Sequence, residues 1–354
     1  MSSAGKRGVI AGAVLLVLGL GPVIVDLGTD TLNLLVMLFI YLILAQSWNL
    51  IGGYAGQINL GLAAFFGCGV LTTHFLWAAG APFWLAFPAG GAAAGCLSIV
   101  IGIPTLRLRG AYFAMGTLAL SEALRITVGN IFARTIYMPV SPQNYRLLPR
   151  YYLALGVAAL VLVVVWKITA SRPGLGMEAV REDEECAGVT GVNVFGHKLA
   201  AFFISSIMAG LAGGVFAYYQ YSILPLSVFL PLWTFEPLMA TCIGGAGTLL
   251  GPVIGSVFLV ILREIFALHL GEAHLIIFGS VFILVVLFLP GGLIGAGAVV
   301  RKARRFLGRI RSNGGKEKTG TEFEKSETRS ACLREPSSAK QAKSETIFND
   351  PNFK

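Results

Sequence analysis

Residues 32–51 read LNLLVMLFIYLILAQSWNLI, twenty consecutive residues without a charge. As a helix this run is about 30 Å long, the thickness of a bilayer's hydrocarbon core. Its four polar residues, Asn33, Gln46, Ser47 and Asn49, are too few to give such a helix a water-facing side. Working outward, comparable runs are 9–27, 55–79, 83–103, 110–129, 151–169, 199–220 and 274–289, with a longer one at 235–262. Composition agrees. Of 354 residues, 55% are hydrophobic and 13% charged, against about 25% charged in a soluble domain. The chain is an all-α, polytopic transmembrane helical bundle over residues 1–300. Residues 301–354 hold 14 Lys/Arg and 7 Asp/Glu. They read as a basic juxtamembrane segment followed by a polar tail that cannot bury enough apolar surface to fold alone. That tail carries +7 of the net +9, so the basic balance marks a cytoplasmic face and gives no reason to expect nucleic acid.

Charge also sets the topology. Lys6 and Arg7 ahead of the first run, and six basic residues from Arg301 to Arg311, place both termini inside. An even number of crossings is then required. Segment 235–262 is too long for one comfortable span and carries Gly244, Gly245, Gly247, Gly251, Pro252 and Gly255 near its middle. Splitting it into short or re-entrant pieces, 235–246 and 250–263, gives ten spans. Inside positions then hold 14 basic residues, Lys167 included, and the outside holds Arg134, Arg146, Arg150 and Arg263.

Catalytic patterns are missing: there is no G-x-x-x-x-G-K-[ST], H-E-x-x-H or G-x-S-x-G. Cys68, Cys96, Cys186, Cys242 and Cys332 are scattered, and His269 and His274 have the wrong spacing for one helical face. No metal or cofactor is expected on this chain. The polar residues inside apolar runs matter more. Glu122 and Arg125 stand three apart on one helical face, which suits an intramembrane pair, with a substrate contact as the alternative. Glu236 sits beside Pro237 near the outer end of its span, at the interface or against a partner. Residues 52–61 carry Gly53, Gly56, Gln57 and Asn59, and irregular backbone at membrane depth must face protein or a water-filled cavity. Close packing of small residues and the lining of a path both fit that stretch. The inside loop 170–198 opens with a turn at 172–176, followed by a short helix from Met177 to Ala187. Its acidic residues are Glu178, Glu182, Asp183, Glu184 and Glu185, with Arg181 the one base. Met177, Val180 and Ala187 lie on one side, and Gly188 or Gly191 ends the helix with a left-handed cap.

Glu185-Cys186-Ala187-x-x-x-Gly191 resembles the E-A-A-x-x-x-G coupling motif of ABC-importer permeases, with Cys in place of the first Ala. Pro104 to Tyr112 with Thr117-Leu118, Arg181 to Glu184, Gly52 to Gly61, and Gly244 to Thr248 with Gly251-Pro252 resemble the branched-chain amino acid permease subfamily, in the right order over residues 40–290. The resemblance implies the membrane subunit of an ATP-driven importer in a bacterial inner membrane. Its partners would be a second related permease, two cytoplasmic ATPases that bind ATP and Mg, and a periplasmic solute-binding protein. It implies that 177–191 docks on an ATPase, with Glu185 and Ala187 against the ATPase groove. The candidate path residues, with close packing as the alternative role for the glycine segments, are Gly53, Gly56, Gln57, Asn59, Tyr112, Thr117, Gly244 and Gly245. Leucine, isoleucine and valine are the expected solutes, with urea, short amides or other amino acids as alternatives. An ion-coupled secondary transporter is a different class, disfavoured by the scarcity of intramembrane carboxylates.

Overall fold

The computed structural model describes residues 28–132, 134–139, 145–270 and 279. The expected span 9–27, all but residue 279 of the expected span 274–289, His274, Cys332 and the segment 301–354 lie outside these residues. Among those described, five helices are long and apolar enough to cross a membrane: Thr29–Tyr54, Phe83–Thr105, Leu147–Thr169, Val194–Tyr219 and Pro225–Gly244. Ten spans are compatible with this arrangement.

In chain order the helices are α1 (Thr29–Trp48), α2 (Leu62–Ala78), α3 (Phe83–Thr105), α4 (Ala111–Ile131), α5 (Leu147–Thr169), α6 (Arg172–Glu182), α7 (Glu184–Val189), α8 (Val194–Tyr219), α9 (Pro225–Val228), α10 (Leu232–Gly244) and α11 (Gly251–Leu270). A π-helical turn, Asn49–Tyr54, extends α1. α1 is apolar all round and lies at the centre, buried almost without interruption from Phe39 to Ile51. Hydrogen bonds fix it laterally: Ser47 Oγ donates to the Ser205 carbonyl on α8 (2.6 Å) and Thr241 Oγ1 on α10 donates to the Ala45 carbonyl (3.0 Å). α2, α3 and α8 form a tight three-helix layer. In lipid no hydrophobic force draws helices together, so close backbone approach through small residues does the work. A Cβ on Gly69 would lie 2.2 Å from the Gly210 carbonyl oxygen, and one on Gly210 would lie 2.5 Å from Ala94 Cβ. Aromatic rings fill the space between this layer and α10, where Trp233 stacks on Phe66 at 4.4 Å.

Four expectations need correction. Residues 55–61 are not helical; α2 begins only at Leu62. Their backbone finds partners elsewhere: Trp48 Nε1 donates to the Asn59 carbonyl (2.9 Å), the Leu60 amide donates to Thr117 Oγ1 (3.1 Å), and the Ala63 amide donates to Thr234 Oγ1 (2.8 Å). Segment 235–262 does break between Gly244 and Gly251, but its second half is no short piece. α11 runs twenty residues, which puts Arg263 inside a helix rather than in an outer loop. Arg150 is likewise in the first turn of α5, buried, donating to the Tyr218 carbonyl at 2.7 Å with its guanidinium 3.7 Å over the Tyr145 ring. Finally, 172–176 is the first turn of α6, with Pro173 at its start, where a missing amide is harmless.

At the end of the bundle away from α6 and α7, Ile136–Tyr137 pairs antiparallel with Ser222–Ile223. This short ribbon ties the loops after α4 and α8 together.

Candidate functional site: a polar helix pair docked on two broken segments

α6 and α7 are separated by one extended residue, Asp183. Its carboxylate accepts from the Glu185 amide (2.8 Å) and the Cys186 amide (3.0 Å), capping α7. Those amides, Cys186 first, hold the Asp183 carboxyl below its ordinary pKa. The Asp183 charge in turn pushes the exposed Cys186 thiol up. α7 ends in a Schellman motif. The Val192 amide bonds to the Ala187 carbonyl (3.0 Å) and the Gly191 amide to the Gly188 carbonyl (3.1 Å), with Gly191 at φ +88°.

Met177, Val180 and Ala187 are buried on the inner side of the pair. Ala187 therefore packs into its own chain, which corrects the expectation that it faces outward. The outward surface consists of Glu178, Glu182, Glu185 and Val189, the last 90% exposed. Among the described residues Glu185 pairs only with Arg109, at 3.9 Å with both side chains well solvated.

Two inward contacts join this pair to the membrane helices. Arg181 Nη1 donates to the Gly53 carbonyl (2.5 Å), and its side chain passes so close to Gly247 that a Cβ there would collide with it. Glu184 pairs with the buried Lys198 at the start of α8 and accepts from Gln57 Nε2 at 3.1 Å. The two glycine segments meet at the same place. Asn49 Oδ1 accepts from the Gly247 amide (2.8 Å), Asn49 Nδ2 donates to the Thr248 carbonyl (2.9 Å), and Gln46 Nε2 donates to the Leu249 carbonyl (2.7 Å). A Cβ on Gly53 would sit 2.1 Å from Asn49 Oδ1. Only glycine allows that approach. Gly53, Gly56, Gln57, Gly244 and Gly245 are thus gathered at the end of the bundle that carries α6 and α7. Asn59 and Thr117 lie one layer deeper, and Tyr112 is on the exposed side of α4.

Glu122 and Arg125 pair along α4, with Arg125 Nε 2.9 and 2.8 Å from the two carboxylate oxygens. A second charged cluster was not legible as such. Arg263 Nη1 lies 3.5 Å from Glu236 Oε2 and also donates to the Tyr41 hydroxyl, joining α11, α10 and α1. Glu236 is about 12 Å along α10 from Gly244, and Arg263 about 18 Å along α11 from Gly251, so the two stand at comparable distances from the common break. Glu236 is buried within the protein. The available signal was the depth of the two residues, counted from a common break. Among the described residues no group of three His, Cys, Asp or Glu side chains is placed to hold a metal ion.

Apolar helices broken by glycine and docked on a polar helix pair define a multi-pass membrane permease. The chain belongs to the branched-chain amino acid transport system / permease component family, which matches residues 31–286. It is 29% identical to the high-affinity branched-chain amino acid transport system permease protein LivM of Escherichia coli, over 77% of this chain and 71% of that protein. The LivM protein of Salmonella typhimurium is 27% identical over the same shares. The nucleoside ABC transporter permease protein NupC of Lactococcus lactis is 24% identical, over 46% of this chain and 59% of its own length. No solved structure matches.

Proposed function

We propose that this chain is the membrane subunit of an ATP-driven importer of branched-chain amino acids, and that α6 and α7 transmit ATPase movement to it. The carrying observation is that the helix pair is free outward and bonded inward. Glu178, Glu182, Glu185 and Val189 are exposed, while Arg181 and Glu184 hold the Gly53 carbonyl, Gln57 and Lys198. A subunit pressing on the outer side would displace both broken segments together.

In this reading the α6–α7 end is cytoplasmic, with both termini on that side of a bacterial inner membrane. The ATP and Mg are bound by two separate ATPase subunits. A second homologous permease completes the path, and a periplasmic binding protein delivers the solute to the opposite end. Exposed apolar side chains such as Trp84, Val100, Leu160 and Trp166 face lipid. Leucine, isoleucine and valine are favoured over other solutes because the LivM proteins match over most of the chain, whereas the nucleoside permease matches less than half.

Gly191→Val tests the reading. Nothing lies within 4 Å of a Cβ at that position, so the penalty is purely one of backbone conformation, about 1–2 kcal/mol. The variant should accumulate in the membrane yet lose ATPase co-purification or ATP-driven leucine uptake. Val189→Asp, on the exposed tip, should do the same. Normal uptake and co-purification in both would reject the docking role.

A further inference from the structure

We propose that the crevice between α4 and residues 59–61 is a solute subsite on the translocation path. It is suited to a carboxylate or carbonyl with an aliphatic side chain beside it, and Gln57 sets its opening. The inference deepens the importer reading and rests on it.

The crevice is lined by Asn59, Thr117 and Ser121 among apolar walls that include Phe65, Ile101 and Phe202. Its polar groups are not equivalent. Asn59 Oδ1 accepts from the Gly61 amide, and the Thr117 hydroxyl accepts from the Leu60 amide while donating to the Ala114 carbonyl. Asn59 Nδ2 and Ser121 Oγ, both on buried residues, have no partner among the described residues. Buried polar groups are nearly always paired, and at membrane depth water does not supply the lack. The unused capacity is an amide N–H and a hydroxyl, which together suit an acceptor-bearing group. No charged side chain lines the crevice. Neutral donors hold an anion briefly and let it go, as conduction requires. The walls supply the aliphatic half.

The crevice is closed in this structure, with no room for a water molecule. It has a means of opening. α4 is buried only along the narrow stripe Phe113, Thr117 and Ser121, spaced four apart, so its attachment is a single seam. Across that seam lies the non-helical segment 55–61, and Gln57 in that segment is hydrogen-bonded to Glu184 on α7. Displacing α7 pulls on Gln57, two residues from Asn59. Gln57 is a positioning residue here; Asn59 and Ser121 are the groups that would touch solute.

The test uses the assembled transporter in proteoliposomes with its loaded binding protein and leucine. Asn59→Asp keeps the acceptor that holds Gly61 and removes the donor; Ser121→Ala removes the hydroxyl. Ser121→Ala should lower ATP-driven uptake about 2- to 10-fold, the worth of one neutral hydrogen bond, and Asn59→Asp by more, because its carboxylate also repels a solute carboxylate, with ATP hydrolysis retained in both. Ser121→Cys is nearly isosteric and decides the matter should Asn59→Asp fail to accumulate. With Cys68, Cys96, Cys186, Cys242 and Cys332 replaced, Cys at 121 should react with a small thiosulfonate faster during ATP turnover, and leucine should slow the reaction. Adding Gln57→Leu should abolish the nucleotide dependence while hydrolysis continues. Wild-type uptake in the donor-removing variants, or labelling at 121 indifferent to nucleotide and leucine, overturns the subsite. Leucine uptake by the wild-type assembly without ATP would overturn the importer reading itself, and the inference with it.

Discussion

Removing the Glu184 carboxylate should strand a buried cation. Lys198 has a side chain only 4% exposed and is paired with Glu184, whose side chain is 31% exposed. Stripping one partner from a buried pair costs about 3–5 kcal/mol, because the other charge stays desolvated. Water reaches part of Glu184, so the lower end applies, about 3 kcal/mol for Glu184→Ala. At roughly 2–4 °C per kcal/mol, the apparent Tm falls by about 6–12 °C. Lys198→Met should be milder, about 1 kcal/mol, since Glu184 keeps Gln57 and solvent. The double variant Glu184→Ala/Lys198→Met should recover most of the loss, because an apolar side chain fills the site without a charge. The assay is thermal unfolding of detergent-purified protein across the four members of the cycle. Equal losses from the two single variants, adding to within about 0.5 kcal/mol in the double, would rule out a stranded charge, since additivity means no coupling.

Gly255→Leu should separate α10 from α11. A Cβ at Gly255 would lie 1.8 Å from the Ala240 carbonyl oxygen, which is backbone and cannot rotate away. The loss should reach or exceed the ~3 kcal/mol end of the overpacking range, read as failure to accumulate in the membrane. The Asp183 cap should be sensitive to acid. Its pKa is depressed in the folded chain, so its contribution is full above the ordinary Asp value of about 4 and is lost as pH falls through the lower folded value. Amide exchange at Glu185 and Cys186, corrected for intrinsic pH dependence, should show protection falling in that acid range. Asp183→Asn should remove the pH dependence while keeping an acceptor at the cap.

Much of the site is legible in the sequence because its signals are local. The left-handed turn at Gly191 follows from the missing Cβ, and the break between Gly244 and Gly251 from helix-weakening residues. The inner side of the helix pair, Met177, Val180 and Ala187, follows from helical spacing. An outward role for Ala187 contradicts that same spacing, and the structure sides with the spacing. The stretch 55–61 falls within the apolar run 55–79, although Gly56, Gln57 and Asn59 mark its backbone as irregular. Hydropathy reports the preference for lipid or protein over water and says nothing about which backbone geometry satisfies the amides.

Residue order alone dictates a helical membrane bundle, the places where its helices break and the presence of a polar helix pair. Transfer free energy, charge placement and turn chemistry are properties of short stretches. Tertiary packing was needed to show that Arg181 reaches the Gly53 carbonyl, that Glu184 meets Lys198 and Gln57, and that Arg263 meets Glu236 and Tyr41. Those meetings depend on how each helix is rotated and how deep it sits. Hydrophobicity is non-directional and leaves both free. Backbone-close glycine contacts and interhelical hydrogen bonds fix them.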